Sequence, residues 1–269
     1  MTESGRHDGI GIPDNIRTDI PHPARVYDYW LGGKDNFAAD REMAEYALRL
    51  MPQVLDTVRA NRQWLVRAVA FLRDAGIRQF LDIGAGLPTS PNTHEIAQSA
   101  DPGACVVYVD NDPVVMVHAD ALTAKNDNTR VVLADLRDVD NVLAEAGKLL
   151  DFAQPVALMF VGCLHHLEDS DDPAGVVASY LAALAPGSYL VLSHATDEFA
   201  PETAREGSAE VGRRGAVWIP RGKDAILGMF NGRELIDPGL VLVSYWRPKG
   251  GVPDQNADRA WVYGGIARV

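Results

Sequence analysis

The stretch RQFLDIGAGLPTSPN, residues 78–92, decides the fold that this chain is expected to adopt. It begins with a short apolar run that is typical of a buried strand. Gly84 and Gly86 follow at a spacing that lets the backbone turn sharply and approach a ligand closely. Asn92 and Glu95 have the spacing of a capping box at the start of a helix. The stretch therefore predicts a strand, a glycine turn and a helix, as in nucleotide-binding α/β domains.

Apolar runs alternate with helical stretches through the rest of the chain. Strands are predicted at 79–83, 105–110, 130–134, 155–162, 188–194, 240–246 and 260–268. Because the first five runs are almost continuously apolar and alternate with helices, they predict a parallel sheet that is buried on both faces. Only about 14 residues separate the last two strands, which is short for a crossover helix and favours an antiparallel pair.

The segment before the sheet differs from it in composition. Residues 1–20 are polar and are expected to form a flexible arm. Residues 21–75 are expected to form an aromatic-rich lid and two helices, at 39–50 and 53–75, where apolar residues recur at helical spacing. Residues 76–269 would then form the core.

Composition and charge exclude several classes of function. The net charge is −12 and no basic block is present, so nucleic acid is not an expected partner. No apolar run approaches the length of a membrane span, and the polar N-terminus lacks the apolar region of a secretory signal. Cys105 and Cys163 lie in apolar runs without metal-site spacing, so free thiols and no metal are expected. These features predict a cytoplasmic protein that does not act on large nucleic acids, and they give no signal for its oligomeric state.

Three carboxylates are predicted at the carboxyl ends of successive strands, where open α/β sheets bind ligands. Asp82 ends the first strand. Asp110 follows Gly84 by about 26 residues and could accept both ribose hydroxyls of an adenosine. Asp135 follows the third strand and could meet the adenine amino group. The alternatives are a glycine turn without a ligand, a helix cap at Asp110 and a solvated turn at Asp135. Thr89 stands where a dinucleotide fingerprint has its third glycine, which counts against a nicotinamide or flavin cofactor.

The ordered phrases DIGAG, YVDNDP, LADLRD, VGCLHHLED and LAPGSYLVLSH resemble the motifs of class I methyltransferases. The phrases ARVYDYWLGGKDNFAADR at 24–41, GLPTSPNTHE at 86–95 and DPGLVLVSYWRP at 237–248 are similar to one actinobacterial methyltransferase family, long catalogued as a domain of unknown function. The resemblance implies one Rossmann-like α/β domain over 21–269. It implies a seven-stranded, mostly parallel sheet with an antiparallel last strand and an N-terminal helical cap.

The resemblance also implies S-adenosylmethionine as the cofactor and a small molecule as the methyl acceptor. The residues that it implies for the cofactor are Asp82, Gly84, Ala85 and Gly86 at the methionine end, Asp110 and Asn111 at the ribose, Asp135 and Leu136 at the adenine, and Gly162 and Leu164 near the sulfonium. Thr89 is a further candidate, although it belongs to a departure from the usual glycine loop.

Residues 25–37 are a second candidate for contact with the cofactor, because they mix aromatic side chains with both charge signs and a Gly-Gly pair. Such a segment could close as a lid over the methionine zwitterion, with Arg25 or Lys34 at its carboxylate and Asp35 at its ammonium group. Its candidate residues are Arg25, Tyr29, Gly33, Lys34, Asp35 and Asn36. The alternative is a segment that is fixed to the domain by Tyr27, Trp30 and Phe37.

His165 and His166 follow the fourth strand, where the acceptor is expected, and either could be a general base. The alternative for both, and for His194, is a capping or packing role. Further candidates for an apolar acceptor pocket, or for ordinary core, are Trp218, Met229, Phe230 and Trp246. A methyltransferase is the leading hypothesis for function. The alternatives are a nicotinamide-dependent oxidoreductase and a catalytically silent regulator that binds S-adenosylmethionine.

Overall fold

Seven strands form one mixed sheet in the part of the chain described by the computed structural model, which covers residues 16–123, 126–253 and 255–269. The strands are β1 (Gln79–Ile83), β2 (Cys105–Asp110), β3 (Thr129–Leu133), β4 (Ala157–Val161), β5 (Tyr189–Ala195), β6 (Val241–Leu242) and β7 (Val262–Arg268). Their order is β3-β2-β1-β4-β5-β7-β6. Most of the arm predicted at 1–20 lies outside the described residues.

The first five strands are parallel, and β7 is antiparallel to both β5 and β6. The predicted α/β class and the antiparallel last pair are therefore confirmed. One strand is wrong in extent, since 240–246 was expected and only two residues pair. The chain turns into a 3₁₀ helix over Val243–Tyr245, and Trp246 is fully buried. Its ring packs edge-on against Trp64 and Phe71, so core packing ends the strand.

The helices lie before the sheet and between its strands. They are α1 (Pro23–Trp30), α2 (Ala38–Leu50), α3 (Val54–Asp74), α4 (Thr93–Ala97), α5 (Pro113–Thr123), α6 (Val139–Ala146), α7 (Pro173–Leu181), α8 (Pro201–Arg213) and α9 (Lys223–Gly228). The Asp-Pro pairs at 112–113 and 172–173 begin α5 and α7, because each aspartate accepts a backbone N–H of its helix. Among the described helices none is long and apolar enough to cross a membrane.

Two apolar clusters hold the sheet from opposite faces. Leu81 and Ile83 of β1 belong to one cluster, while Phe80 belongs to the other. Since alternate residues of a strand point to opposite faces, the sheet is covered on both sides, as the apolar runs predicted. β1 lies between β2 and β4, so the strand order reverses there. The carboxyl ends on either side of such a reversal leave a crevice that binds ligands in open α/β sheets.

The helix α1 was not predicted, because residues 21–37 carry no clear helical period. Its N-terminus follows His22, whose ring accepts the Ala24 N–H. Tyr27 donates its hydroxyl to the Val58 carbonyl on α3, and the indole N–H of Trp30 donates to Ala44 on α2. These contacts fix α1 to its neighbours and favour the alternative in which aromatic side chains attach the segment.

A buried ion cluster joins α1 to both α2 and the start of α5. Arg25 is 3% exposed, and its Nε lies 3.3 Å from Asp40 and 3.5 Å from Asp112. Its Nη2 donates to the carbonyls of Arg17 and Ile20. Arg25 is thus surrounded by partners from this chain, and it contributes to the position of α1.

We expect Arg25→Ala to lower the free energy of unfolding by about 3–5 kcal/mol, because it leaves two buried carboxylates without their counter-charge. Urea unfolding of the variant and the wild type measures the difference. Arg17→Ala is the matched control, since that side chain is exposed and pairs only with exposed Asp19. Equal stability of Arg25→Ala and the wild type would contradict this role of the cluster.

Candidate functional site

Two cavities adjoin at the carboxyl ends of the parallel strands. The larger has a volume of about 420 Å³ and the smaller about 150 Å³. Residues that follow β1, β2, β3 and β4 all contribute to the larger one. The residues that line both cavities are Pro21, His22, Pro23, Tyr27, Asn61, Gly162, His166, Ala216 and Val217. The two spaces therefore share a wall, to which α1, α3 and the turn after β4 contribute.

The glycine loop after β1 forms one side of the larger cavity. Gly84 and Gly86 have φ of +67° and +68°, a region that glycine adopts without strain. A Cβ on Gly84 would lie 2.4 Å from the Cβ of Cys163, so a side chain has no room there. The N–H groups of Gly84 and Ala85 donate to the Val109 carbonyl. The loop after β1 is thereby held close to β2 and to the turn after β4.

Asp110 ends β2 and lies in the wall of the larger cavity. One carboxylate oxygen accepts the Gly86 N–H at 2.8 Å and the other accepts the Asp112 N–H at 2.9 Å. Burial raises its pKa, because the charged form loses hydration. A carboxylate has about four acceptor positions, so each oxygen keeps one for a ligand. The neighbouring Asn111 also lines the cavity, and its side-chain oxygen lies 3.1 Å from Nε2 of His22.

Two residues that the resemblance implied for the cofactor lie behind the cavity wall. Asp82 is buried and accepts the Thr93 hydroxyl at 2.7 Å. Burial raises its pKa to about 6, with Thr93 and Arg62 acting in the opposite direction. Leu164 is fully buried in the core. Neither side chain lines the larger cavity, whereas the predicted residues Gly84, Ala85, Gly86, Thr89, Asp110, Asn111, Asp135, Leu136 and Gly162 do.

Asp135 is already paired with an arginine of this chain. Arg137 donates from Nε and Nη2 to its two oxygens at 2.9 and 2.6 Å, and these hydrogen bonds lower the pKa of Asp135. The same guanidinium reaches Asp171 at 3.0 Å. Arg137 lines the larger cavity, although sequence reasoning missed it. The pair closes the end of the cavity next to β3, and Leu136 lies between the two residues in sequence.

The predicted lid residues do not reach the larger cavity. Arg25 belongs to the buried ion cluster, and Tyr29 donates its hydroxyl to Glu45. Asp35 lies 3.4 Å from Nε2 of His118. Neither cavity is lined by any of Arg25, Tyr29, Gly33, Lys34, Asp35 and Asn36. The segment reaches the larger cavity instead through α1 and the residue after it, with Tyr27, Asp28 and Leu31.

Asp28 explains the polar residues around the Gly-Gly pair. Its Oδ2 accepts the backbone N–H of Asp35 at 3.0 Å and the side-chain amide of Asn36 at 2.9 Å. A Cβ on Gly33 would lie 1.8 Å from Oδ1, so only glycine leaves room for this carboxylate. Within the described residues Oδ1 has no hydrogen-bond partner. Three of the predicted residues therefore hold Asp28, which lines the cavity and is 7% exposed.

Arg62 on α3 is a second residue of the larger cavity that sequence reasoning missed. Its Nη2 donates to the carbonyls of Thr89 and Pro91, so it fixes the turn that follows the glycine loop. Its Nε is buried without a hydrogen-bond partner in the described part of the chain. The apolar period of α3 indicated only core packing. The feature of the sequence that could have indicated a role for Arg62 in the site is its positive charge next to the packed face of α3.

His165 and His166 have opposite tautomers. Nδ1 of His166 lies 2.7 Å from the Val217 carbonyl, which can only accept, so Nδ1 carries the proton and Nε2 is an acceptor. Nδ1 of His165 accepts the Ala195 N–H at 3.4 Å, so its proton is on Nε2. The two rings are 4.4 Å apart. His165 lines the smaller cavity and His166 lines both, so the pair presents one acceptor and one donor.

His194 has a structural role instead. Its Nδ1 donates to the Ala195 carbonyl at 2.7 Å, and its Nε2 lies 3.1 Å from Nη1 of Arg221. The ring is fully buried and lines neither cavity. Both of its nitrogens are occupied, which agrees with the packing alternative.

The smaller cavity is lined mainly by apolar side chains of α1, α2, α3 and the segment after α8. Of the four predicted apolar candidates, Trp218 lines it, whereas Met229, Phe230 and Trp246 lie in the core. Among the described residues, no Asp, Glu, Lys or Arg side chain lines this cavity. Its polar groups include the imidazoles of His22, His165 and His166 and the side chains of Tyr27 and Asn61, and Asn61 donates to the Tyr27 hydroxyl.

We expect His166 and His194 to stay neutral at pH 6. Burial lowers the pKa of His166 to about 4 and that of His194 to about 3, because an imidazolium would lose its hydration there. Nitrogen NMR of the imidazoles across pH 4–8 shows whether either ring titrates near 6.5 and also identifies the protonated nitrogen of His166. The variant His166→Gln assigns the signals. A midpoint near 6.5 for either ring, or a proton on Nε2 of neutral His166, would contradict this geometry.

Comparison with known proteins identifies the family and supports the fold. The sequence matches the S-adenosyl methyltransferase family over residues 11–269. It is 42% identical to a DUF574 family protein from Streptomyces avermitilis MA-4680, with a TM-score of 0.87 over 94% of this chain and 99% of that chain. It is also 42% identical to a candidate methyltransferase from Thermobifida fusca YX, with a TM-score of 0.88 over 97% and 99%. No curated protein matches the sequence. The resemblance inferred from the sequence is confirmed.

Proposed function

We propose that this chain, which belongs to the S-adenosyl methyltransferase family and takes S-adenosylmethionine as its methyl donor, methylates a small molecule held in the smaller cavity. One observation carries the proposal. A polar cavity with a glycine loop shares a wall with an apolar cavity, and Gly162 and His166 belong to both. Methyl transfer is an in-line displacement, so the acceptor must approach the donor from a neighbouring space. The shared wall provides that approach.

The larger cavity fits the cofactor in size and in chemistry. Its volume of about 420 Å³ lies within the usual range for ligand sites, about 300–1,000 Å³. The glycine loop leaves room where a Cβ on Gly84 would collide with Cys163. The free acceptor positions of Asp110 suit the two hydroxyls of a ribose. When bound, the cofactor supplies an activated methyl group on a sulfonium.

Asp28 and Arg62 suit the methionine zwitterion better than the residues predicted from the sequence. Asp28 is 7% exposed, and its Oδ1 has no hydrogen-bond partner among the described residues, so it can accept from an ammonium group. Arg62 is the described guanidinium that lines the cavity beside Thr89, where a carboxylate would complete its partners. Asp35 and Arg25 lie outside this wall and have partners elsewhere. We assign the ammonium to Asp28 and the carboxylate to Arg62.

The adenine is assigned to the end of the cavity next to β3. Ala134 and Leu136 line it there, and the pair of Asp135 and Arg137 closes that end. Oδ1 of Asp135 already accepts the backbone N–H and Nε of Arg137, so only Oδ2, which accepts from Nη2, keeps a position for the adenine amino group. In this proposal the adenine ring is recognised by the shape of this end of the cavity and by the backbone groups of Leu136.

We expect Asp28→Asn to weaken S-adenosylmethionine binding by about 10- to 150-fold, the equivalent of a lost charged hydrogen bond. Asp35→Asn is the matched control and should leave the affinity unchanged, because that side chain lies outside the cavity. Calorimetric titration of the folded variants measures both affinities. If Asp35→Asn loses affinity for S-adenosylmethionine and Asp28→Asn does not, the assignment of the ammonium group to Asp35 made from the sequence would be favoured.

We expect Ala47→Trp to abolish turnover without changing cofactor affinity, because residue 47 lines only the smaller cavity and an indole would fill it. Formation of S-adenosylhomocysteine with a set of small-molecule acceptors measures turnover, and Ala47→Ser is the control for the substitution itself. Undiminished turnover in Ala47→Trp would place the acceptor elsewhere. A wild type that binds the cofactor and never forms S-adenosylhomocysteine would be the silent regulator.

A further inference from the structure

We infer that the methyl acceptor is an uncharged molecule with an aromatic hydroxyl group, that its oxygen is methylated, and that Nε2 of His166 takes the hydroxyl proton. This inference rests on the proposed function, since it concerns the occupant of the smaller cavity. It adds the class of acceptor and the fate of its proton.

The charge of the cavity wall selects against charged acceptors. No carboxylate, ammonium or guanidinium side chain lines the smaller cavity within the described residues. Burial also lowers the pKa of His166 to about 4 and that of His165 well below its usual value, so both rings are neutral. The third imidazole of the wall, His22, lies 3.2 Å from the Asp112 carboxylate, which already serves as its partner. A charged molecule would lose its hydration there without gaining a counter-charge, which is costly. The occupant therefore enters uncharged.

The two imidazoles match a hydroxyl group. Nε2 of His166 is an acceptor and Nε2 of His165 carries a proton, as their partners Val217 and Ala195 require. Neither Nε2 has a partner among the residues that the structure describes. A hydroxyl group both donates and accepts, so it can use the two nitrogens together. The large aromatic and aliphatic side chains of the remaining wall, which include Val26, Trp30, Met43 and Trp218, favour an aromatic body.

His166 is placed where proton transfer and methyl transfer can meet. It lines both cavities, and so does Gly162. Gly162 has a φ of +73°, and a Cβ there would lie 3.1 Å from the side-chain amide of Asn61. The missing side chain keeps this part of the shared wall free of atoms beside the imidazole of His165, whose Cε1 would lie 3.9 Å from that Cβ.

The step balances without any further reactant. A lone pair of the hydroxyl oxygen forms the bond to the methyl carbon, and the carbon–sulfur bond breaks with its electron pair remaining on sulfur. The hydroxyl proton passes to Nε2 of His166 and then to solvent. The products are a neutral methyl ether and a neutral thioether. An alkylamine acceptor would instead enter as an ammonium ion and a carboxylic acid as an anion, in a cavity whose described wall residues offer neither a counter-charge.

The test compares acceptors that share a ring system and differ in charge at pH 7, where the hydroxyl compounds are neutral, arylmethylamines are cations and carboxylic acids are anions. Wild-type protein is incubated with S-adenosylmethionine and phenol, 1-naphthol or 2-naphthol, and in parallel with benzylamine and the naphthylmethylamines and with benzoic and naphthoic acids. We expect S-adenosylhomocysteine and the methyl ether from at least one hydroxyl compound. Turnover of amines or acids alone would overturn the inference and leave the proposed function standing. No turnover with any compound would overturn both.

The role of His166 is tested on the hydroxyl compound that reacts. We expect His166→Gln to lower kcat by about 100-fold or more at pH 7, the usual contribution of a general base. The loss should shrink as the pH approaches the pKa of the acceptor hydroxyl, because the ionised acceptor no longer needs a base. A kcat within threefold of the wild type at pH 7, or a loss that does not change with pH, would overturn the role of His166. Calorimetry with S-adenosylmethionine confirms that the variant is folded.

Discussion

The close approach of the loop after β1 to the turn after β4 is the constraint on which both cavities depend. Gly84 lies against Cys163, and a Cβ at that position would be 2.4 Å from the cysteine side chain. The contact lies where the strand order reverses, which is where open α/β sheets have a ligand-binding crevice. It holds the loop after β1 and the turn after β4 together at the edge of that crevice. The backbone of the loop thereby lines the larger cavity, and the turn after β4 carries Gly162 and His166 to the shared wall.

A second constraint fixes the part of the site that the sheet does not provide. The buried cluster of Arg25, Asp40 and Asp112 ties α1 to α2 and to the start of α5. With α1 in place, Tyr27 lines both cavities and Asp28 lines the larger one. A network that stabilises the fold thus also orients a proposed cofactor ligand. Arg25, which lines neither cavity, is therefore needed to place Asp28 in the wall of the larger cavity.

The sheet could be predicted from the sequence because its signals are local. Apolar runs, Asp-Pro pairs and the glycine turn each depend on neighbouring residues, and Asp110 was found because it directly ends a strand. The N-terminal side of the site could not be predicted in the same way. Arg25 and Asp28 are three residues apart on one helix, and only the tertiary partners of each show that the first is structural and the second faces the cavity. The tautomers of His165 and His166 likewise depend on carbonyl and amide groups of distant segments.

A crystal structure of the complex with S-adenosylhomocysteine tests the central claim most directly, namely that the two cavities are a donor site and an acceptor site that meet at Gly162 and His166. We predict the ribose hydroxyls on Asp110, the amino group within hydrogen-bonding distance of Asp28, and the sulfur facing the smaller cavity beside Gly162. An amino group bound at Asp35, or a sulfur that faces away from the smaller cavity, would contradict this account.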